Sequence, residues 1–127
     1  MLTLPGGARV RGRRLTAEAS PADFALVLAP GPVPSWPYRR VRWPDFWVPA
    51  DTSDALDALH CAHRLAYEGA RVEVACHGGK GRTGTALAAL AVLDGLSPRA
   101  AVSLVRQHYH PGAVEMPWQR WWLHRVR

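Results

Sequence analysis

Cys76, Arg82 and Thr83 stand in one short run, Cys76-His77-Gly78-Gly79-Lys80-Gly81-Arg82-Thr83-Gly84, whose residue types suit attack on a bound anion. A thiolate is a strong nucleophile and a thiol is a poor one, so a catalytic cysteine needs surroundings that favour its anion. Glycines adopt backbone conformations that other residues resist, and they let successive N–H groups converge on one oxyanion. Arg82 adds a planar fork that can hold two phosphate oxygens at once, which an ammonium group cannot do. A helix end alone contributes about 0.3 to 1 kcal/mol, at best about 2, so the converging N–H groups and Arg82 must supply much of the field. The expected phosphate cradle comprises His77, Gly78, Gly79, Lys80, Gly81 and Arg82, with Cys76 at its floor.

The elements that must position this run are legible on either side of it. Val72 and Val74 alternate toward one face and predict a buried strand, and Gly69 ends the helix before it. Thr83 opens an apolar helical run from Ala86 to Leu93, so the glycine-rich turn is held between two rigid elements and faces the unpaired N–H groups of a helix start.

Cys76, five intervening residues, Arg82 and Thr83 resemble the signature of the cysteine-dependent protein tyrosine and dual-specificity phosphatases. The family usually has His before its cysteine, where this chain has Ala75. The resemblance implies that Cys76 is the nucleophile, that Arg82 binds the phosphate and that Thr83 stabilises the departing thiolate. Trp43-Pro44-Asp45 is weak evidence alone, since such residues also make ordinary turns. It is similar to the family's mobile acid loop, which would make Asp45 the general acid, a role typically worth about 10² to 10⁴ in rate. The stretch Gly112 to Gln119 resembles the segment in which relatives place a water-positioning glutamine, and Gln119 matches it. Without the resemblance, Gln119 is a polar residue in the first turn of a helix. The likeness covers about Trp43 to Leu123.

At 127 residues the chain is expected to form one domain, residues 1–127. Its formal charge of +6 suits an anionic substrate or a nucleic acid and does not separate the two. Lys80, the only lysine, falls inside the cradle. Two cysteines, Cys61 and Cys76, without a secretory signal or a long apolar segment, predict a reducing cytoplasm. A reversible Cys61–Cys76 disulfide, a device of some relatives, is the alternative. His60-Cys61-Ala62-His63 has the look of a metal motif but no further cluster accompanies it, so neither metal nor cofactor is expected.

In chain order, strands are predicted at Leu2 to Pro5, Ala8 to Leu15, Phe24 to Ala29 and Tyr38 to Arg42, with Arg9, Arg11 and Arg13 facing water. Thr52 or Ser53 is expected to cap a helix to about Glu68, with Ala55, Leu59, Ala62 and Ala66 on its apolar stripe. Glu73, inside a buried strand, requires an arginine partner. Helices follow from Thr83 to near Gly95, from Arg99 to Tyr109 behind Ser97-Pro98, and through Trp121, Trp122 and Leu123, with Trp118, Trp121 and Trp122 as core. The pattern is α/β, a small central mixed sheet flanked by helices, resembling the dual-specificity phosphatase fold. Trp36, Tyr38, Phe46 and Trp47 are expected either to line a slot for a flat ring or to pack as core. The function this implies is hydrolysis of phosphomonoesters, on phosphorylated protein (phosphotyrosine, or dual specificity). A phosphoinositide or RNA 5′-phosphate hydrolase and a catalytically silent phosphate-binding module are the alternatives.

Overall fold

The computed structural model describes all residues, 1–127. Its elements are β1 (Leu2–Thr3), β2 (Arg9–Arg14), β3 (Phe24–Val27), β4 (Tyr38–Arg40), α1 (Thr52–Tyr67), β5 (Val72–Cys76), α2 (Gly81–Leu93), α3 (Pro98–His108) and α4 (Pro117–Trp122). A 3₁₀ turn, Leu123–Arg125, follows. The sheet is mixed, in the order β1-β2-β5-β3-β4, with only the β1–β2 pair antiparallel. The expected α/β architecture is therefore present.

β5 is the central strand. It pairs in parallel with β2 on one side and β3 on the other, and all five of its residues are buried. Val72, Val74 and Cys76 face a core of 30 buried residues that also holds Ala55, Leu59, Leu87, Leu90 and Trp122 from the helices. The alanine-rich stretch of α2 lets that helix approach closely: every residue from Gly81 to Ala91 is buried. No helix of the chain is long and apolar enough to cross a membrane.

Glu73 points to the other side of the sheet, and here the structure departs from expectation. Arg11 and Arg13, predicted to face water, converge on its carboxylate. Arg13 Nε and Nη2 donate at 2.8 and 3.0 Å, Arg11 Nε donates at 3.1 Å, and the Trp36 indole N–H adds a bond of 3.0 Å. The β2–β5 register places Arg11 directly beside Glu73, so a side chain that looks solvent-facing in sequence is turned inward by a fully buried charge. Burial alone would raise the Glu73 carboxyl; hydrogen bonds and charge from Arg13 and Arg11 outweigh it and hold the group below its ordinary value.

Two helix boundaries also shift. Asp51, rather than Thr52 or Ser53, caps α1, its Oδ1 accepting from the Asp54 N–H at 3.1 Å. α2 starts at Gly81 rather than Thr83, because Gly84 N already reaches Lys80 O at 2.7 Å. Ser97 caps α3 as expected.

Glu73→Gln leaves two partly buried guanidinium groups short of their counter-charge, and loss of one partner of a buried pair costs about 3 to 5 kcal/mol, an upper bound here. The contribution of Glu73 is present above its unfolded value and is lost as pH falls through its depressed folded value. Urea titrations are therefore expected to show the variant destabilised at pH 7, with a smaller stability difference from wild type in strong acid.

Candidate active site

The site lies beyond the carboxyl ends of β5, β3 and β4, the usual location for ligands in a parallel sheet. Leu15 N bonds Cys76 O at 3.0 Å and Leu28 N bonds Ala75 O at 2.8 Å, so the strand ends are tied together just where the loop begins. Cys76 Sγ, almost fully buried, accepts from Thr83 Oγ1 at 2.9 Å and from Gly79 N at 3.2 Å. Gly79 needs to be glycine: its φ is +64°, and a Cβ there would stand 2.8 Å from the Arg14 backbone nitrogen. The first helical bond of α2 begins at Gly84 N, leaving earlier N–H groups of the helix available to an anion.

Arg82 is buried and crosses the site. Its Nη1 donates to Leu28 O at 3.2 Å and to Trp43 O at 3.0 Å, and its Nε lies 3.5 Å from Asp45 Oδ1. That Nε is the chain's one buried side-chain polar atom without a hydrogen-bond partner. Asp45 is exposed at the opening, and its Oδ1 accepts from Phe46 N at 3.0 Å. The structure thus brings Asp45, from a distant part of the sequence, to Arg82 in the run that also holds Cys76 and Thr83.

The remaining expected residues divide. His77 is exposed with its Nε2 2.8 Å from Pro30 O, and Gly78 is exposed with open space where a side chain would be. Gly81 opens α2, where a Cβ would collide with the Glu115 carboxylate. Lys80 turns toward Glu115, with Nζ 3.9 Å from Oε2. Gln119 is fully buried with both ends of its amide engaged: Nε2 donates to Trp47 O at 3.1 Å, and Oε1 accepts from Met116 N at 3.0 Å. Trp118 Nε1 donates to Phe46 O at 2.6 Å. α4 thereby holds the segment that carries Asp45.

The aromatic slot is not assembled. Trp36 sits behind the sheet on Arg13 and Glu73, and Phe46 and Trp47 are about half exposed, with Trp47 packed on Trp118. Trp121, expected in the core, is 65% exposed, whereas Trp122 is buried against Trp43. Both cysteines are free; Cys61 lies on α1, near the Arg64 side chain. His60 bonds the Arg127 carbonyl and His63 bonds Asp94, so the two histidines of the suspected metal motif serve different partners.

A model of the protein-tyrosine phosphatase family matches residues 33–119, the span that holds the Trp43-Pro44-Asp45 segment, the cysteine loop and Gln119. The chain belongs to the protein-tyrosine phosphatase family. Tk-PTP in its active form is 30% identical, with 83% of this chain and 78% of that one covered at a TM-score of 0.73. Human DUSP28 has the same fold at 17% identity, covering 92% and 90% with a TM-score of 0.73. PTPMT1 in complex with PI(5)P matches at 19% identity, covering 83% and 76% with a TM-score of 0.64. No curated protein sequence matches the chain.

Two features of this cysteine-based phosphatase were not visible in its sequence. One is a cleft of about 710 Å³ beside the loop, into which Arg40 and Arg42 project along with Arg82, Asp45 and His77. A smaller cleft of about 420 Å³, at the other end of β5 near Arg9 and Arg71, contains none of these residues. The other feature is Tyr109, at the end of α3, whose hydroxyl donates to Gly79 O and whose ring fills the space left by Gly12. Its sequence neighbours give no signal of this, because the contact spans 30 residues. Burial, reinforced by negative charge on Cys76, pushes the Tyr109 phenol up to about 12, so it remains a donor throughout the neutral range.

Tyr109→Phe keeps the ring and removes one hydrogen bond, and is expected to cost about 0.5 to 1.5 kcal/mol in urea unfolding. Because the folded value is raised from 10 to about 12, the phenol's contribution is complete below pH 10 and is lost as pH rises toward 12. Stability of the Phe variant should lack that alkaline decline.

Proposed function

We propose that residues 1–127 form a phosphomonoester hydrolase working through a phosphocysteine intermediate on Cys76. The observation that carries this is the orphaned Arg82 Nε, a buried donor beside Asp45, one residue from the Thr83 that, with Gly79, hydrogen-bonds the Cys76 thiol. Leaving such a donor without an acceptor costs about 1 to 3 kcal/mol, and a phosphoryl oxygen at the cradle would relieve it. A module that only bound phosphate would have no use for a nucleophile hydrogen-bonded by Thr83.

In this mechanism the Cys76 thiolate attacks phosphorus in line as the ester P–O bond breaks, and Asp45 gives its proton to the leaving oxygen. Arg82 and the loop N–H groups, from His77 through Gly81, hold the equatorial oxygens as charge develops. Asp45, now a carboxylate, takes a proton from the attacking water. The S–P bond then breaks, inorganic phosphate departs, and Thr83 donates to the restored thiolate. Gln119 serves as a positioning residue through its bond to Trp47 O, which steadies the Asp45 segment.

Phosphotyrosine in protein is the substrate that membership of the family favours. A second reading, a substrate with more than one anionic group, is favoured by Arg40 and Arg42 in the cleft and by the absence of an aromatic slot. PTPMT1, a neighbour of the same fold, is solved in complex with PI(5)P, which supports this second reading.

Turnover of p-nitrophenyl phosphate should vanish in Cys76→Ser, and acid quenching of the wild type should trap phosphate on Cys76; phosphate trapped on another residue would refute the mechanism. Asp45→Asn is expected to lose about 10² to 10⁴ in kcat with an alkyl phosphate. The loss should be far smaller with p-nitrophenyl phosphate, whose leaving group departs without a proton, and equal losses would remove Asp45 from the role.

A further inference from the structure

We propose that Arg40 and Arg42 form a second anion subsite, so that the preferred substrate is a small phosphomonoester carrying a second phosphate; this rests on the hydrolase reading above. The two residues lie at the carboxyl end of β4, separated by Val41. Val41 is buried in the core and its N–H is pinned to Val27 O at 2.9 Å. In an extended segment, alternate side chains emerge on the same side. With Val41 turned into the protein, Arg40 and Arg42 are both directed outward, along the cleft that leads to Arg82.

Neither arginine is neutralised. Arg40 donates only to the Gly31 carbonyl, at 2.9 Å, and Arg42 makes no side-chain hydrogen bond or ion pair. Among the carboxylates facing the cleft, Asp54 is taken by Arg39 at 2.8 Å, and Asp45 belongs to the reacting end beside Arg82. His77, the remaining titratable group there, is turned to the Pro30 carbonyl. The cleft therefore has two uncommitted guanidinium groups beyond the one that grips the reacting phosphate. Its volume of about 710 Å³ suits a small-molecule ligand, well beyond a single phosphate. Guanidinium forks recognise phosphate oxygens in pairs. Lys80 does not line this cleft and is turned toward Glu115, with Nζ 3.9 Å from Oε2.

The substrate chemistry is thus a small molecule carrying two phosphates, either free or as the headgroup of a lipid, and inositol phosphates serve as the probes. The test compares kcat/KM for phenyl phosphate, soluble myo-inositol 1,4-bisphosphate, and phosphatidylinositol 4-phosphate in phosphatidylcholine vesicles. Arg42→Ala, which breaks no internal hydrogen bond, is expected to lower kcat/KM roughly tenfold for the two substrates that carry a second phosphate, chiefly through KM. It should leave phenyl phosphate within about twofold, and Arg42→Lys should recover part of the loss. Arg40→Ala combined with Arg42→Ala should deepen the effect, and added salt should mimic it. A higher wild-type kcat/KM for the soluble compound identifies the free bisphosphate as the source; a higher value on vesicles identifies the lipid. Equal losses on all three substrates, or no loss on the pair that carries a second phosphate, overturn the subsite.

Calorimetric binding of the soluble bisphosphate to Cys76→Ser separates this result from a failure of the catalytic reading. If wild type hydrolyses none of the three but Arg42→Ala still weakens binding tenfold, the hydrolase reading fails and the subsite stands. If phenyl phosphate is hydrolysed while the arginine variants bind the bisphosphate as wild type does, only the subsite fails.

Discussion

One buried guanidinium joins the parts of this molecule that chemistry requires to be together. Arg82 reaches from the first turn of α2 to the end of β3 at Leu28, to the segment after β4 at Trp43, and to Asp45. A fully charged side chain is costly to bury unless hydrogen bonds compensate it. Two carbonyls meet part of that requirement, and the Nε they leave without a hydrogen bond lies 3.5 Å from the Asp45 carboxylate. The same contacts that stabilise the charge therefore fix the positions of the loops around it. Displacing the guanidinium would release the Trp43 segment and the β3 terminus as well as the anion site.

The central strand beneath the loop is stabilised differently on its two faces. Toward the helices it is wholly apolar and packs on the alanine-rich α2. On the other face Glu73 draws in Arg11, Arg13 and Trp36. An ionic cluster gains less stability than apolar packing of the same volume, but it tolerates only one arrangement of its partners. It locks the β2–β5 register, and that register sets Arg14 beside Cys76 and brings the Arg14 backbone against Gly79.

Two non-glycine residues hold a left-handed backbone, one next to Asp45 and one ahead of α4. Phe46 has φ +59° and Val114 has φ +60°, conformations that cost non-glycine residues about 1 to 3 kcal/mol each. Each is overdetermined by hydrogen bonds. Trp118 donates to Phe46 O while Trp43 and Gln119 donate to Trp47 O, and Arg106 donates to both Ala113 O and Val114 O. α4 is short, yet two consecutive residues of it, Trp118 and Gln119, hold the segment that presents Asp45.

Much of the catalytic assembly is local and was therefore legible in the chain. Strand, glycine turn, Arg82 and Thr83 are contiguous, and the bonds from Thr83 and Gly79 to Cys76 span only seven and three residues. Periodicity and punctuation located the strands and helices to within a few residues, because those signals are also local. The long-range partners were not legible. Arg11 and Arg13 look solvent-facing until β2 is laid beside Glu73. The bond from Gln119 to Trp47 O spans 72 residues. Tyr109 carries no signal until α3 folds back onto Gly12 and Gly79. Trp36 seemed to belong with Phe46 and Trp47 because they are near in sequence, but the sheet separates them. Residue types and short spacings determine which groups can do chemistry; the pairing of β5 with two distant strands, which satisfies its backbone and its one buried charge, decides which of them meet.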